Sequence, residues 1–226
     1  FEGEAIAALP MAERMTLCNM AAELGAQTGI IAPDEVTADY LRKAGAEAGE
    51  IDRWQPDQDA AYGGTREFDA GALSPQVAAP HSPANAAPVA EIEAVPVDQA
   101  YIGACTGAKL SDLHMAAEVL RGRRVASGLR LLVAPASTRI TAEAAADGTL
   151  AALTEAGAIL LPSGCGACAG LGAGVLAEGE VCISSTARNF KGRMGAASSK
   201  VYLASPYTVA AAALAGHICD PRQFLN

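Results

Sequence analysis

The feature that most constrains the fold is an alternation of short apolar segments with helical segments, which runs from Val97 to the end of the chain. Four apolar segments of strand length begin at Ala100, Leu129, Ala158 and Glu180. Helical patterns follow each of the first two segments and close the chain. Strands that alternate with helices in this way are typical of βαβ units with parallel strands. The pattern therefore predicts an α/β fold, with a mostly parallel sheet and helices on both faces.

The part of the chain before this region is organised differently. Residues up to about 45 carry apolar side chains at three- and four-residue spacing, which predicts helices. Residues 50–96 are rich in Pro, Asp and Gly and show no persistent period, which indicates a connector. We interpret residues 1–95 as a partial α/β lobe with a Pro-rich connector, and residues 96–226 as a second α/β lobe.

Composition and charge exclude several classes of function. The 226 residues carry 16 basic and 25 acidic side chains, so the formal net charge is −9. Such a surface repels phosphate groups, and we expect neither a nucleic acid nor a membrane as partner. No apolar run reaches the roughly 18–20 residues of a membrane span. Six cysteines without a secretory signal indicate a reduced, cytoplasmic protein. Because the chain starts at Phe1 without Met, we expect a cut or processed boundary there.

Three of the cysteines lie where predicted strands end. Cys105 ends the first strand of the α/β region, and Cys165 and Cys168 form a Cys-x-x-Cys in a glycine-rich loop after the third. Ligands of open α/β sheets bind beyond the carboxyl ends of the strands, so we expect these thiols to share one crevice. Three thiolates suit a four-iron cluster that keeps one iron free of protein ligands. A zinc site, a redox pair and buried structural thiols are alternatives that the spacing leaves open.

Short motifs with a common family likeness run through almost the whole chain. They are Glu2-Gly-Glu-Ala-Ile, Arg14-Met-Thr-Leu-Cys-Asn-Met, Ile31-Ala-Pro-Asp-Glu, Pro75-Gln-Val-Ala-Ala-Pro-His-Ser-Pro, Tyr101-Ile-Gly-Ala-Cys-Thr, Gly164-Cys-Gly-Ala-Cys, Val175-Leu-Ala-Glu-Gly-Glu and Arg188-Asn-Phe-Lys-Gly-Arg. Through them the chain resembles the aconitase superfamily, and in particular the C-terminal part of the large subunits of 3-isopropylmalate dehydratase (isopropylmalate isomerase) and homoaconitase. The resemblance implies a [4Fe–4S] hydro-lyase of the kind used in leucine biosynthesis. It would isomerise a 2-hydroxy di- or tricarboxylic acid by dehydration and rehydration.

The resemblance also implies roles for individual side chains in the α/β region. By similarity, Cys105, Cys165 and Cys168 ligate the cluster. Arg188 and Arg193 bind substrate carboxylates, which suits the bidentate pairing of guanidinium with carboxylate. Without the resemblance, the two arginines would be interpreted as a solvated basic turn.

Two residues near the start of the chain are candidate catalytic residues by the same resemblance. Asn19 and Glu23 are four positions apart, so on one α-helix they share a face. Glu23 would act on the substrate oxygen. Without the resemblance, Glu23 would be interpreted as a solvated helix carboxylate.

The chain departs from the family pattern at two places near these residues. Ala187 stands where the family commonly has Asn, and Gly107-Ala108-Lys109 stands where many isopropylmalate dehydratases have Asn-Gly-Arg. These departures leave open a relative that acts on homoaconitate or on a dimethylmalate.

The resemblance also implies partners. Large subunits of the family begin with a lobe that we expect to be missing here, and a serine-bearing swivelling domain often forms a separate small subunit. We therefore expect a small-molecule hydroxy-carboxylic acid as substrate, a small subunit as partner, and little turnover by this chain alone. The alternative, from another class of protein, is a module that binds a cluster or a partner without its own catalysis.

Overall fold

The computed structural model describes residues 1–92 and 94–225, apart from the side chain at position 52. The chain forms two compact units, Phe1–Leu73 and Ser74–Asn226. No helix in the described residues is long and apolar enough to cross a membrane.

The first unit consists of short helices and the segments that connect them. Its α-helices are α1 (Glu4–Ala7), α2 (Met11–Met20) and α3 (Glu35–Lys43), and its 3₁₀ turns are Ala21–Leu24, Ile51–Trp54 and Ala70–Ala72. Asp34 caps α3 by accepting a 3.3 Å hydrogen bond from the amide of Thr37. Residues 1–73, all of them described, form no strand, so this unit is helical rather than the predicted partial α/β lobe. The residues up to about 45 carry apolar side chains at three- and four-residue spacing, which favours helices over strands.

The second unit is built on a seven-stranded sheet. Its strands are β1 (Gln76–Ala78), β2 (Ala86–Pro88), β3 (Gln99–Gly103), β4 (Arg130–Ala134), β5 (Ile159–Leu160), β6 (Val181–Ser184) and β7 (Lys200–Ala204). They are arranged in the order β2-β1-β7-β6-β3-β4-β5. The strands from β7 to β5 are parallel, while β1 is antiparallel to both β2 and β7. The prediction of an α/β fold with a mostly parallel sheet is confirmed.

The two units divide earlier than the sequence predicted. The sequence analysis assigned residues 50–96 to a connector, but β1 and β2 lie within that range and extend the sheet of the second unit. The second unit therefore starts at Ser74 instead of residue 96. Strands of three residues are too short to show a period, so the sequence contained no signal for them.

Helices cover one face of the sheet. They are α4 (Ala104–Gly107), α5 (Leu110–Leu120), α6 (Thr138–Ala146), α7 (Thr149–Glu155) and α8 (Pro206–Ala215), with 3₁₀ turns at Val89–Glu91, Gly166–Ala169 and Pro221–Gln223. Along β3, Ala100 and Ile102 pack with α5, α7 and α8, whereas Tyr101 packs on the opposite face, as expected for side chains that alternate along a strand.

The opposite face is covered by loops instead of the predicted helices. The residues that pack there against the strands include Ala167, Cys168, Leu176 and Met194. They come from the connections after β5 and β6, in which the described residues form no α-helix. The connection after β5 is rich in glycine, which disfavours a helix and permits tight turns. These two loops and the turn after β3 all begin at the carboxyl ends of parallel strands.

Candidate functional site

Cys105 lies in the tight turn α4, directly after β3. Ala104 has a φ of +66°, which is uncommon for a residue with a side chain. The hydroxyl group of Ser185 accepts a hydrogen bond from the Gly103 amide (3.2 Å) and donates one to the Gly107 carbonyl (2.8 Å). The two ends of the turn are thereby tied to the residue that follows β6, and the Cys105 side chain is exposed.

Cys165 and Cys168 lie in the loop that follows β5. The Cys168 amide donates a 3.0 Å hydrogen bond to the Cys165 carbonyl, which closes a 3₁₀ turn. Cys165 is exposed and Cys168 is buried. At the end of the turn, Gly170 has a φ of +72°, and a Cβ added there would lie 2.9 Å from the Arg193 carbonyl oxygen. Only glycine allows so close an approach. The contact between Gly170 and the Arg193 backbone packs this loop against the loop that follows β6.

The Cys168 thiol has polar neighbours from that second loop. Burial raises its pKa, while hydrogen bonding by the Arg193 guanidinium and then by the Thr186 hydroxyl acts in the opposite direction. The Thr186 hydroxyl accepts a 2.9 Å hydrogen bond from Ser184, so its own proton is available to the sulfur. Nε of Arg193 is buried and has no hydrogen-bond partner among the described residues. The structure thus brings Cys168 and Arg193 together from different loops.

Tyr101 lies beside the same cysteine loop and was not assigned a role from the sequence. Its side chain is 0% exposed and packs against Gly103, where an added Cβ would lie 2.1 Å from the ring. Its Oη lies 3.3 Å from the position that a Cβ of Gly166 would occupy. Burial raises the pKa of Tyr101 to about 12, so the hydroxyl keeps its proton near neutral pH. A tyrosine in the middle of a buried strand is the signal that could have identified it, because a buried hydroxyl needs a partner.

Arg188 is half-buried and follows β6 in the segment anchored by Asn189. Asn189 is fully buried, and its side-chain amide donates to the carbonyl oxygens of Ala79 (2.9 Å) and Val201 (3.1 Å). The sequence analysis did not single out Asn189, because its partners are distant in sequence. Its hydrogen bonds hold the start of the arginine-bearing loop against β7 and the segment after β1.

The first unit contains the other two predicted site residues. Asn19 is exposed in the last turn of α2, and Glu23 is half-buried in the 3₁₀ turn Ala21–Leu24. The expectation that both occupy one face of a continuous α-helix is wrong, because α2 ends at Met20. A 3₁₀ turn has about 3.0 residues per turn, which changes the angle between positions four apart.

The three predicted ligand cysteines are free thiols. In the part of the chain that the structure describes, no group of three or more His, Cys, Asp or Glu side chains is arranged to hold a metal ion. The thiols of Cys105, Cys165 and Cys168 therefore do not form a closed ligand set. Soft thiolates are the ligands that iron–sulfur clusters and zinc select, and all three follow strands at one edge of the sheet. The donor chemistry fits an iron–sulfur cluster.

Two of the remaining cysteines have a structural environment. Cys182 and Cys219 belong to the hydrophobic core. Burial raises the pKa of Cys182 to about 12. Both behave as small apolar side chains.

The comparison with known proteins agrees with the motifs. The chain is similar to the 3-isopropylmalate dehydratase large subunit 1 of Methanopyrus kandleri, with 48% identity over 226 residues that cover 100% of this chain and 53% of the relative. A probable methanogen homoaconitase large subunit of Methanosarcina mazei is 48% identical over 226 residues, 99% of this chain and 56% of the relative. The homoaconitase large subunit of Thermus thermophilus is 46% identical over 217 residues, 96% of this chain and 50% of the relative.

The chain spans about half the length of these relatives. Its assignment to their C-terminal part stays a prediction. The chain also matches the aconitase family (aconitate hydratase) over residues 1–216. Since this match covers nearly the whole chain, the protein belongs to the aconitase family.

Proposed function

We propose that this chain is the large-subunit portion of a hydro-lyase that isomerises a 2-hydroxy di- or tricarboxylic acid by dehydration and rehydration. The proposed substrate is 3-isopropylmalate or a close homologue. The observation that carries the proposal is the meeting of Cys168 and Arg193 at the carboxyl edge of the sheet. A soft metal ligand and a carboxylate-binding cation are adjacent there, in a chain of the aconitase family.

The proposed cofactor is a [4Fe–4S] cluster held by Cys105, Cys165 and Cys168. The three free thiols come from two loops at one edge, and Cys105 and Cys165 are open to incoming metal. When bound, the cluster supplies a Lewis acid for the substrate oxygen. Cys168, buried between Tyr101 and the loop after β6, would be the most rigidly held ligand.

The side chains of this chain would bind and orient the substrate. Arg193 and Arg188 follow β6 and would each pair with a carboxylate group, which holds a dianionic or trianionic acid in one orientation. Thr186 would keep the Cys168 sulfur in place. Glu23 would exchange a proton with the substrate hydroxyl, and Asn19 would hydrogen-bond the substrate. The roles of Asn19 and Glu23 rest on the family resemblance.

The proposed partner is a small subunit that carries the swivelling domain and its serine base. The relatives named above are large subunits by name, which supports a second chain. We therefore expect cluster assembly by this chain and turnover only with the partner.

Cluster assembly is tested by anaerobic reconstitution with ferrous iron and sulfide. We expect about four irons and four sulfides per chain, as in a [4Fe–4S] protein. Each of the variants Cys105→Ser, Cys165→Ser and Cys168→Ser should lose most of this iron. The matched control Cys18→Ser, in the first unit, should retain it. A wild-type protein without bound iron, or ligand variants that load like the control, would overturn the proposed cofactor.

Catalysis is tested on the complex with the small subunit encoded in the same genome. Relatives named for 3-isopropylmalate and for homoaconitate are equally similar at 48% identity, so both acids and 2,3-dimethylmalate are assayed. We expect the complex either to dehydrate one of the two malates, which raises the ultraviolet absorbance of the solution, or to hydrate the double bond of homoaconitate, which lowers it. A fully loaded complex that converts none of the three acids would contradict the proposed activity.

A further inference from the structure

We infer that Tyr101 is a positioning residue whose hydroxyl group donates a hydrogen bond to the sulfur of Cys168 when that sulfur is a bound ligand. The inference rests on the proposed function for the identity of the metal group. It concerns a residue outside the predicted cysteine and arginine set.

Tyr101 carries a buried hydroxyl donor that lacks an acceptor in the described part of the chain. The side chain is 0% exposed, and Oη makes no hydrogen bond to any described residue. Buried hydroxyl groups are nearly always hydrogen-bonded, since an unpaired one loses its interaction with water and receives nothing in return. An unpaired donor of this kind indicates that an acceptor joins it in another state of the protein.

The hydroxyl of Tyr101 lies beside the turn that carries Cys165 and Cys168. Oη lies 3.3 Å from the Cβ position of Gly166, which lies in the turn between Cys165 and Cys168. Burial raises the pKa of Tyr101 to about 12, and negative charge on Cys168 and then on Cys165 acts in the same direction. The same turn would close around a metal bound to these two sulfurs. The donor therefore points into the proposed ligand loop.

No backbone carbonyl group of the described residues lies within hydrogen-bond reach of Oη. The Cys168 amide is itself a donor, so it cannot accept the hydroxyl proton. A thiolate sulfur can accept several hydrogen bonds at once, and Cys168 is the buried thiol beside Oη.

Cys168 would then receive donors from two sides of the site. Arg193 and Thr186 approach its sulfur from the loop after β6, and Tyr101 approaches from β3. Hydrogen bonds to the sulfurs of an iron–sulfur site stabilise the added electron and raise the reduction potential. They also hold the ligand in place, and loss of such an outer partner commonly weakens metal binding about 10- to 100-fold.

The competing interpretation is that Tyr101 is a core residue. It packs with Leu132, Ala167, Leu176 and Met194, and its ring alone could fill that space. In that case Tyr101→Phe removes an unpaired hydroxyl, leaves metal binding unchanged and leaves the stability of the fold equal or higher. The two interpretations therefore predict different results for the same isosteric substitution.

The experiment compares wild type, Tyr101→Phe and the control Tyr202→Phe, which removes a half-buried hydroxyl on β7. Apoprotein is titrated anaerobically with Cd²⁺ against a competing chelator, and the sulfur-to-cadmium absorption reports binding. We expect Tyr101→Phe to bind Cd²⁺ about tenfold more weakly than wild type, or weaker still, and the control to bind it as wild type does. In anaerobically reconstituted protein, we expect a lower cluster reduction potential for Tyr101→Phe alone.

The outcomes separate this inference from the proposed function. Equal Cd²⁺ affinities for wild type and Tyr101→Phe would overturn the role of Tyr101, even if both proteins assemble a cluster. A wild type that binds Cd²⁺ more tightly than Tyr101→Phe but assembles no cluster would support the hydrogen bond and contradict the proposed cofactor. Urea unfolding of both variants verifies that they are folded. A wild type that does not bind Cd²⁺ would overturn the inference.

Discussion

The hydroxyl group of Ser185 donates a 2.8 Å hydrogen bond to the carbonyl oxygen of Gly107, although the two residues are 78 positions apart in the chain. The same hydroxyl accepts the amide of Gly103, so one side chain closes both ends of the turn that presents Cys105. The position of Cys105 thus depends on the packing of β3 against β6, and not on its own turn alone.

This close packing predicts a large effect of Gly107→Ala. An added Cβ would lie 2.0 Å from the Ser185 carbonyl oxygen, a backbone atom that cannot move aside without distorting β6. We expect the free energy of unfolding to fall by about 2–3 kcal/mol, near the upper end for overpacking. Urea denaturation followed by circular dichroism measures this. Gly63→Ala, where an added Cβ meets nothing within 4 Å, is the control and should change stability by less than about 0.5 kcal/mol. Equal midpoints for the two variants would contradict the prediction.

The proposed carboxylate-binding role predicts an effect of Arg193→Lys on the KM of the two-subunit enzyme. Lysine keeps the positive charge but loses the bidentate geometry of the guanidinium group. Loss of a charge-assisted hydrogen bond is worth about 1.5–3 kcal/mol, so we expect KM to rise about 10- to 100-fold. Iron content should be unchanged. Arg139→Ala, on the exposed surface of α6, is the control and should leave KM as in wild type. An unchanged KM for Arg193→Lys would exclude the role.

In the first unit, the ion pair of Arg14 and Asp34 predicts a pH-dependent stability. The guanidinium nitrogens of Arg14 donate to both carboxylate oxygens of Asp34, at 2.7 and 2.8 Å. The Arg14 side chain is 3% exposed and that of Asp34 is 41% exposed. Hydrogen bonding by Arg14 lowers the pKa of Asp34. A carboxyl group with a lowered pKa contributes stability above its unfolded pKa of about 3.9, and this contribution disappears as the pH falls through the folded pKa.

We therefore expect Asp34→Asn to destabilise the protein by about 1–2 kcal/mol at pH 7, less than a fully buried pair because Asp34 is partly solvated. Asparagine retains the helix cap, so the substitution removes mainly the charge. The difference from wild type should shrink below about pH 4. Urea unfolding followed by the fluorescence of Trp54, the single tryptophan, reports on the first unit. A difference that stays constant from pH 7 to pH 3 would show that the ion pair is not its cause.

Burial also predicts which thiols react in the native, metal-free protein. Cys105 and Cys165 are exposed, whereas Cys168, Cys182 and Cys219 are buried. We expect iodoacetamide to modify the exposed pair first and the buried three only after denaturation. Cys182 should be slowest, since burial raises its pKa to about 12 and leaves little reactive thiolate. Peptide mass mapping over time gives the order. Early modification of Cys182 would be inconsistent with its place in the core.

Much of the second unit could be predicted because its signals are local. The apolar segments that begin at Ala100, Leu129, Ala158 and Glu180 became β3 to β6, and the helical patterns between and after them became α5 to α8. The helical pattern after the second segment forms two helices, because Asp147 and Gly148 separate α6 from α7. The strands β1, β2 and β7 were missed. β1 and β2 have only three residues each, and β1 joins the rest of the sheet by pairing with β7, which lies more than a hundred residues later. No local pattern records such pairing.

The candidate site divides in the same way. The edge at which Cys105, Cys165 and Arg193 lie follows from the rule that parallel strands present their carboxyl ends together, and it was predictable from the residues. Which side chains meet at that edge depends on loop packing. Tyr101 and Thr186 were therefore not predicted as neighbours of the cysteines.

Residue types and spacing were thus sufficient for the fold class and the family, because both are encoded in short stretches of chain. The boundary at Ser74, the end of α2 between Asn19 and Glu23, and the surroundings of Cys168 were decided by tertiary structure. They depend on which segments, distant in sequence, pack against one another and bury their side chains. Such burial is a property of the whole folded molecule and is not recorded in any short stretch of sequence.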